Sequence, residues 1–490
     1  MGSRQVERGS VRAGPASRPA ASAVPLARAT VDAAASVNSP ARATDLFGQP
    51  RGLYTLASTE VWEHISFHGM QALLTLYMAE QLLLPGRIGT IAGFASFRGA
   101  IEMVTGPLST RALASQVFGL YAGLLYLTPV LGGFLGDRML GRRNAVALGA
   151  VVMATGHLCL MFDQSFLVAL TLLVVGAGLQ RGNLTSQLGR LYAPDDHRRG
   201  PAFQLYYAIV NTGGFAALLI AGALGQRYGW HYGFGFAGIG TLAGLAIYVT
   251  GRRHLPEERP RVAAAAAVKL RSEERRTVTA LLLLLPALTM FWIAQTQIWN
   301  VYNLWARDHV NLVVAGWQMP VPWLQSLDGI GAVAFVPVVL WWWRRLADRG
   351  KEPDEIGKLG LGCLMFGVAM AWLGSAHFVA ADKVPLAWAV SFHLVSAIGY
   401  LHVQPVAVAL FARAAPKPVN ATMTGVYFLS IFAGSTMSGW LGGLYERLSP
   451  LGFWLLHAAI VGVGGLLILS FSGQLRRRLI HTSEDEALAV

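Results

Sequence analysis

Charge is scarce in this chain. Only 13% of its 490 residues are Asp, Glu, Lys or Arg, against about 25% in soluble domains, while 54% are hydrophobic. That shortage excludes an ordinary soluble globule. Cysteine is nearly absent: Cys159 and Cys363 both sit in apolar runs far apart in sequence, which excludes a disulfide framework and leaves both as small buried hydrophobes. No Walker sequence occurs, so the chain has no phosphate cradle for ATP hydrolysis of its own. Gly233-Phe-Gly-Phe-Ala-Gly238 spells a dinucleotide fingerprint but lies inside an apolar run with no strand before it, so it reads as helix packing. No signal-peptide core is seen ahead of the first long apolar run, and no cofactor is expected.

What is present is apolar length. Runs at about 55–84, 112–137, 144–163, 166–192, 201–227, 232–252, 277–306, 320–346, 357–378, 385–413, 418–446 and 451–474 are each long enough for a hydrocarbon core of about 30 Å. The expected fold class is therefore an all-α integral membrane protein with twelve transmembrane helices. Pro85–Gln116, studded with Arg87, Arg98, Glu102 and Arg111, reads as a long polar connection. The net charge of +13 gathers between alternate spans: Arg138, Arg142 and Arg143; Arg198 and Arg199; Arg252, Arg253, Arg275 and Arg276; Arg344, Arg345, Arg349 and Lys351; Arg476, Arg477 and Arg478. This is the positive-inside pattern and not a nucleic-acid footprint. It places both termini in the cytoplasm, with a bacterial inner membrane as the expected host.

Residues 1–50 are rich in Ala, Ser, Pro and Arg without hydrophobic periodicity, and read as a disordered cytoplasmic tail. The expected organisation then runs as a six-helix bundle over 53–253, a cytoplasmic linker over 254–276, a second six-helix bundle over 277–475 and a short tail over 476–490. Two such halves with a basic linker suit a transporter whose substrate binds between them near the midplane.

The most informative stretch is Glu60-Val-Trp-Glu-His-Ile-Ser-Phe-His-Gly69. At about 100° per residue, Glu60, Glu63, His64, Phe67, His68 and Gln71 fall within one arc of roughly 140°. A membrane helix cannot turn two carboxylates and two imidazoles to lipid, so this face lines a polar path. Carboxylates in such a setting suit proton carriage, and an imidazole titrates in the physiological range. Glu60, Glu63 and His64 are the candidate proton-coupling groups. The Glu-x-x-x-His-x-x-x-His order lacks a third ligand of its own, and no metal is expected.

The same stretch resembles the Glu-x-x-Glu-Arg-Phe-x-Tyr-Tyr-Gly signature of proton-dependent oligopeptide transporters, a branch of the major facilitator superfamily. Gly133-Phe-Leu-Gly-Asp-Arg-Met-Leu-Gly-Arg-Arg143, Gly176-Ala-Gly-Leu-Gln-Arg-Gly-Asn183, Phe203-Gln-Leu-Tyr-Tyr-Ala-Ile-Val-Asn-Thr-Gly-Gly-Phe215 and Gln325-Ser-Leu-Asp328 are similar to further signatures of that family, in the same order. The resemblance implies a major facilitator fold, symport of protons with di- or tripeptides or similar zwitterions, no enzymatic activity, and a monomer in the bilayer. The linker is too short for the two extra helices that many bacterial members carry.

The resemblance also implies site roles. His64 stands where the family has Arg, and His68 where it has Tyr. Arg181 takes the place of a Lys and would offer a guanidinium fork to a substrate carboxylate. Tyr206, Tyr207 and Asn211 fall in the fifth-helix signature; Trp292 and Gln297 fall on the seventh helix. Asp137, Arg138, Arg142 and Arg143 form the conformational loop. Three departures stand out. Tyr400 replaces the tenth-helix Glu that receives the peptide amine, Thr296 replaces the seventh-helix acid, and Gln71 replaces its Arg partner. Asp328 appears where the family has Asn, and becomes the candidate acid for the substrate ammonium. If no acid serves that amine, an organic anion or an amine-blocked peptide is the alternative solute, and a non-transporting sensor is a further one.

Overall fold

The computed structural model describes residues 45–193, 196–256, 270–379 and 382–479. The expected tail over most of 1–50, the centre of the linker (257–269) and residues 480–490 lie outside the described residues.

Among the described residues there are twelve long helices. The first six are α1 (Arg51–Tyr77), α3 (Thr110–Leu135), α4 (Arg142–Cys159), α5 (Phe166–Gly189), α6 (Arg199–Tyr228) and α7 (Trp230–Gly251). The second six are α8 (Ser272–Thr296), continued after a break by the short α9 (Val301–His309), then α10 (Pro322–Ala347), α11 (Glu355–Val379), α12 (Leu386–Ala414), α13 (Asn420–Gly442) and α14 (Pro450–Ser470). A short α15 (Ser472–Leu479) ends the described chain. Among the described residues, nine helices are apolar and long enough to cross a membrane. The exceptions are informative: α1 carries the Glu60–His68 face, α4 opens on Arg142 and Arg143, and α13 is diluted with Ser, Thr and Gly. Of the three, α1 is mostly buried among its neighbours, which lets its polar residues persist at membrane depth.

Local chemistry sets the ends. Ser109 and Ser449 cap α3 and α14, accepting from the N–H of Ala112 at 3.2 Å and of Gly452 at 3.1 Å, and Pro450 at the first turn needs no donor. Glu274 reaches back to the Arg271 N–H at 2.7 Å to start α8, so the helix begins inside the expected linker. Gly229, at φ 121°, makes the sharp turn between α6 and α7. Pro129, Pro286, Pro337 and Pro405 sit inside long helices, tolerated because neighbouring helices re-satisfy the freed backbone.

The Pro85–Gln116 connection contains a helix of its own, α2 (Phe94–Thr105), set between two left-handed glycines, Gly93 and Gly106. Met103 and Val104 on it are exposed, while Phe94 anchors it in the core. Arg98 donates to Glu102 at 2.8 Å and to the Leu108 carbonyl at 3.1 Å, while Arg87 and Arg111 pair outside the stretch with Asp163 and Asp308.

The α3–α13 and α6–α10 pairs join the two halves. Their bonds cluster at the end of the helices opposite the basic loops. Asn300 donates to the Ser115 hydroxyl at 2.7 Å, Gln226 accepts from the Val321 N–H at 2.8 Å, and Trp323 donates to the Leu219 carbonyl at 3.0 Å. Close backbone approach makes this possible: a Cβ on Gly119 would lie 2.6 Å from the Gly439 Cα. Ionic contacts cap the same end. Arg307 pairs with Glu80 and, at 2.8 Å, with its neighbour Asp308; Arg111 reaches Asp308 at 3.1 Å; Ser109 donates to Glu446.

Candidate functional site

Between the halves lies a cavity of about 840 Å³, within the range of small-molecule sites. α1 contributes Phe67, His68 and Gln71; α6 contributes Asn211; α8 contributes Trp292 and Thr296; α10 contributes Gln325 and Asp328; α12 contributes Tyr400 and Gln404. Of the residues singled out in the sequence, His68, Asn211, Trp292, Asp328 and Tyr400 meet here. Gln71 and Thr296 both reach the wall as well, so neutral groups stand on both sides where the resemblance would put an acid and a base. Thr296 shares a hydrogen bond of 3.1 Å with Ser435.

The first-half charges lie behind that wall. Arg181 on α5 donates from Nε to Glu63 Oε1 at 2.8 Å, and its guanidinium lies 3.9 Å over the Phe67 ring. His64 Nδ1 stands 3.1 Å from the other Glu63 oxygen. Glu63 is almost wholly buried, and Glu60 Oε2 is buried with no hydrogen-bond partner. The His64 and His68 rings sit 5.4 Å apart, and His68 continues to Trp299 at 5.7 Å. A chain of polar groups thus runs from the buried carboxylates to the cavity. Truncating one member of a buried ion pair such as Glu63–Arg181 costs about 3–5 kcal/mol, because the other charge is left uncompensated.

The second half is built differently. Asp328 on α10 accepts from His393 Nδ1 on α12 at 2.6 Å, and His393 Nε2 meets the Tyr302 hydroxyl at 2.9 Å. An ionised carboxylate only accepts, so the proton of this bond sits on His393 Nδ1. His393 and Tyr302 are both fully buried. The second carboxylate oxygen, Asp328 Oδ2, has no protein hydrogen-bond partner. Sequence reasoning passed over His393, a lone imidazole in an apolar run. The available signal was its spacing: His393, Ala397 and Tyr400 recur on one helical face.

Three expected site residues lie elsewhere. Gln297 is fully buried and donates to the Ser438 carbonyl at 2.9 Å, with its amide 3.1 Å from His457; it braces α8 against α13 and α14 and does not line the cavity. Tyr206 is buried in a separate cluster with Leu53, Leu56 and Tyr248, and Tyr207 is about half exposed. Helical geometry explains Tyr206, which lies about 140° around α6 from Asn211, whereas Tyr207, one turn before Asn211, shares its face but stands outside the cavity lining. At the basic end, Arg142 donates to Asp137 at 2.7 Å, Arg138 covers the Phe134 ring at 4.8 Å, and Arg143 donates to the Leu255 carbonyl. The expected loop is therefore an ordered brace between α3, α4 and the end of α7.

The sequence model of the Major Facilitator Superfamily matches residues 83–439. The chain is 27% identical to an uncharacterized transporter, YclF, of Bacillus subtilis (strain 168), over 86% of this chain and 94% of that protein. It is 27% identical to the peptide transporter YePEPT of Yersinia enterocolitica subsp. palearctica serotype O:3, over 93% and 99%. Among solved structures, the peptide transporter POT in complex with sulfate superposes with a TM-score of 0.78 at 26% identity, covering 90% of this chain and 97% of that one.

Proposed function

Since the chain belongs to the major facilitator superfamily, in its oligopeptide transporter branch, we propose that it is a proton-coupled symporter of di- and tripeptides or similar small zwitterions, working by alternating access. The observation that carries this reading is the pairing of a closed charge cluster in one half with an open carboxylate in the other, on either side of one cavity. Glu63, with Glu60 and His64, takes the proton. Protonating Glu63 would release Arg181 from its ion pair, freeing the guanidinium for the substrate carboxylate. Asp328 takes the ammonium. Backbone dimensions put the two charged ends of a dipeptide roughly 5–8 Å apart, while aromatic walls at Trp292, Trp299 and Tyr400 accept varied side chains. His68 and Asn211 complete the polar lining.

The halves, 53–253 and 277–475, act as the two rocking bodies, with the Glu80, Arg307, Asp308 and Arg111 cluster holding the outer end shut. The conformation described above is then the inward-facing one, with both termini cytoplasmic in a bacterial inner membrane and a single chain as the working unit. The test is uptake into proteoliposomes under an imposed inward proton gradient. Dialanine should accumulate above its external concentration and lose accumulation when a protonophore is added. Equal dialanine levels with and without the gradient would overturn proton coupling.

A further inference from the structure

The Asp328 carboxylate is gripped from behind. One oxygen is held by His393, and the ring that holds it has no freedom of its own. It stands at 88° to the Tyr302 ring with centroids 5.0 Å apart, lies 5.2 Å from Phe392, and is tied by its second nitrogen to the Tyr302 hydroxyl. The backbone beneath is fixed too, since the Ser396 hydroxyl donates to the His393 carbonyl at 3.0 Å. Tyr302 itself is stacked on Phe392 at 5.3 Å and packs near Trp305 and Trp454. Three helices, α9, α10 and α12, therefore converge on the placement of one carboxylate.

The free oxygen has a different fate. Asp328 lines the cavity, and Oδ2 is without a protein partner. Among the described residues, no lysine or arginine bonds Asp328, His393 or Tyr302, in contrast to Glu63 with its Arg181. A desolvated carboxylate oxygen left bare is costly, and beside this cavity the solute group able to satisfy it is a cation or a strong donor.

We propose that His393 is a positioning residue for the substrate amine: clamped by Tyr302, it turns Asp328 so that one oxygen stays unpaired beside the cavity, and this clamp determines the preference for solutes with a free ammonium over solutes whose amine is acylated. The proposal rests on the reading of Asp328 as the ammonium anchor. A loosely held aspartate could swing both oxygens into other contacts and would greet a neutral amide nearly as well as an ammonium. A gripped one presents a fixed half of its charge, which an amide cannot neutralise.

The test uses the full-length protein in proteoliposomes and reads the ratio of KM for N-acetyl-dialanine to KM for dialanine. Leucine at this site, His393→Leu, should shrink that ratio at least about fivefold by raising KM for dialanine, with the maximal rate kept within about twofold, the pattern of lost binding discrimination. His393→Asn can still donate to the carboxylate from near the Nδ1 position and should recover most of the ratio. His393→Gln keeps polarity but sets its amide one bond further out, and should lose the ratio as Leu does. This variant carries the test if the leucine protein fails to fold. A smaller fall of about two- to threefold is expected for Tyr302→Phe, which removes one neutral hydrogen bond. Equal KM changes for both solutes, or Asn and Gln behaving alike, would make His393 a packing residue and overturn the proposal. Asp328→Asn separates the two levels. If it collapses the ratio while His393→Leu and His393→Gln do not, the clamp is wrong and the anchor stands; if it leaves the ratio intact, the anchor reading falls and the clamp with it.

Discussion

The two halves of this protein answer the same problem, a carboxylate at membrane depth, in opposite ways. In the first half Glu63 is enclosed: Arg181 holds one oxygen at 2.8 Å and His64 stands 3.1 Å from the other. In the second half Asp328 is held on one side only, by an imidazole at 2.6 Å, and its other oxygen has no protein partner. The first arrangement carries its own countercharge in Arg181, although Glu63 Oε2 makes no hydrogen bond. The second is incomplete until something arrives from the cavity. The contrast teaches that intramembrane acids need not share a role because they share a cost. The partner set decides whether the group stores charge or offers it.

The sharpest way to break this comparison is to remove titration from the enclosed site. Glu63→Gln should abolish accumulation driven by a pH gradient while leaving exchange of labelled for unlabelled dialanine measurable, because an amide keeps the shape but carries no proton. Unchanged accumulation would end the distinction between the halves. Next in size, Asp328→Asn should raise KM for dialanine by at least about tenfold, one decade being 1.4 kcal/mol, and adding Tyr400→Glu should recover part of the loss by returning an acid to the same wall. Retained dipeptide affinity in the single variant would show that the substrate is held by its carboxylate alone.

A smaller effect is expected at the link between the first-half cluster and the cavity. Uptake should fall as external pH rises, and His64→Arg should flatten that profile by fixing the positive charge. Identical profiles for the two proteins would make His64 a spacer and leave Glu60 and Glu63 to account for coupling. The smallest effect sharpens the boundary of the site. Tyr206 is buried away from the cavity, and its hydroxyl has no hydrogen-bond partner. Tyr206→Phe should therefore change KM by less than about twofold and leave the melting temperature level or slightly raised, since removing an unsatisfied buried polar group is nearly neutral or favourable. A large loss of affinity would place α6 phenols in the substrate path after all.

Much of this was legible from residues alone, for physical reasons. Glu60, Glu63, His64 and His68 betray themselves because lipid forbids such a face, and Asp328 because an acid in an apolar run demands a purpose. The long helices follow from apolar length. What stayed hidden depends on contacts that no local pattern encodes. His393 acquires its meaning from Asp328, 65 residues earlier. Glu80, Arg111, Arg307 and Asp308 look like ordinary loop charges until the fold brings them to one end. Gln297 misled in the other direction: it sits on the right helix and one residue from Thr296, but the chain breaks between α8 and α9, and the amide turns into the bundle to meet Ser438 and His457.

The bare meeting of Gly119 with Gly439 has a mechanical consequence. Two backbones touching here leave no room for a side chain between them, and the contact is pinned at its edge by the Ser115 hydroxyl, which donates to the Gly439 carbonyl at 3.1 Å. The same bareness makes the point a dial. A single methyl at Gly119 would sit 2.6 Å from both the Gly439 Cα and the Ser435 carbonyl oxygen and act as a wedge, felt directly by the cavity because Ser435 lines it and bonds Thr296.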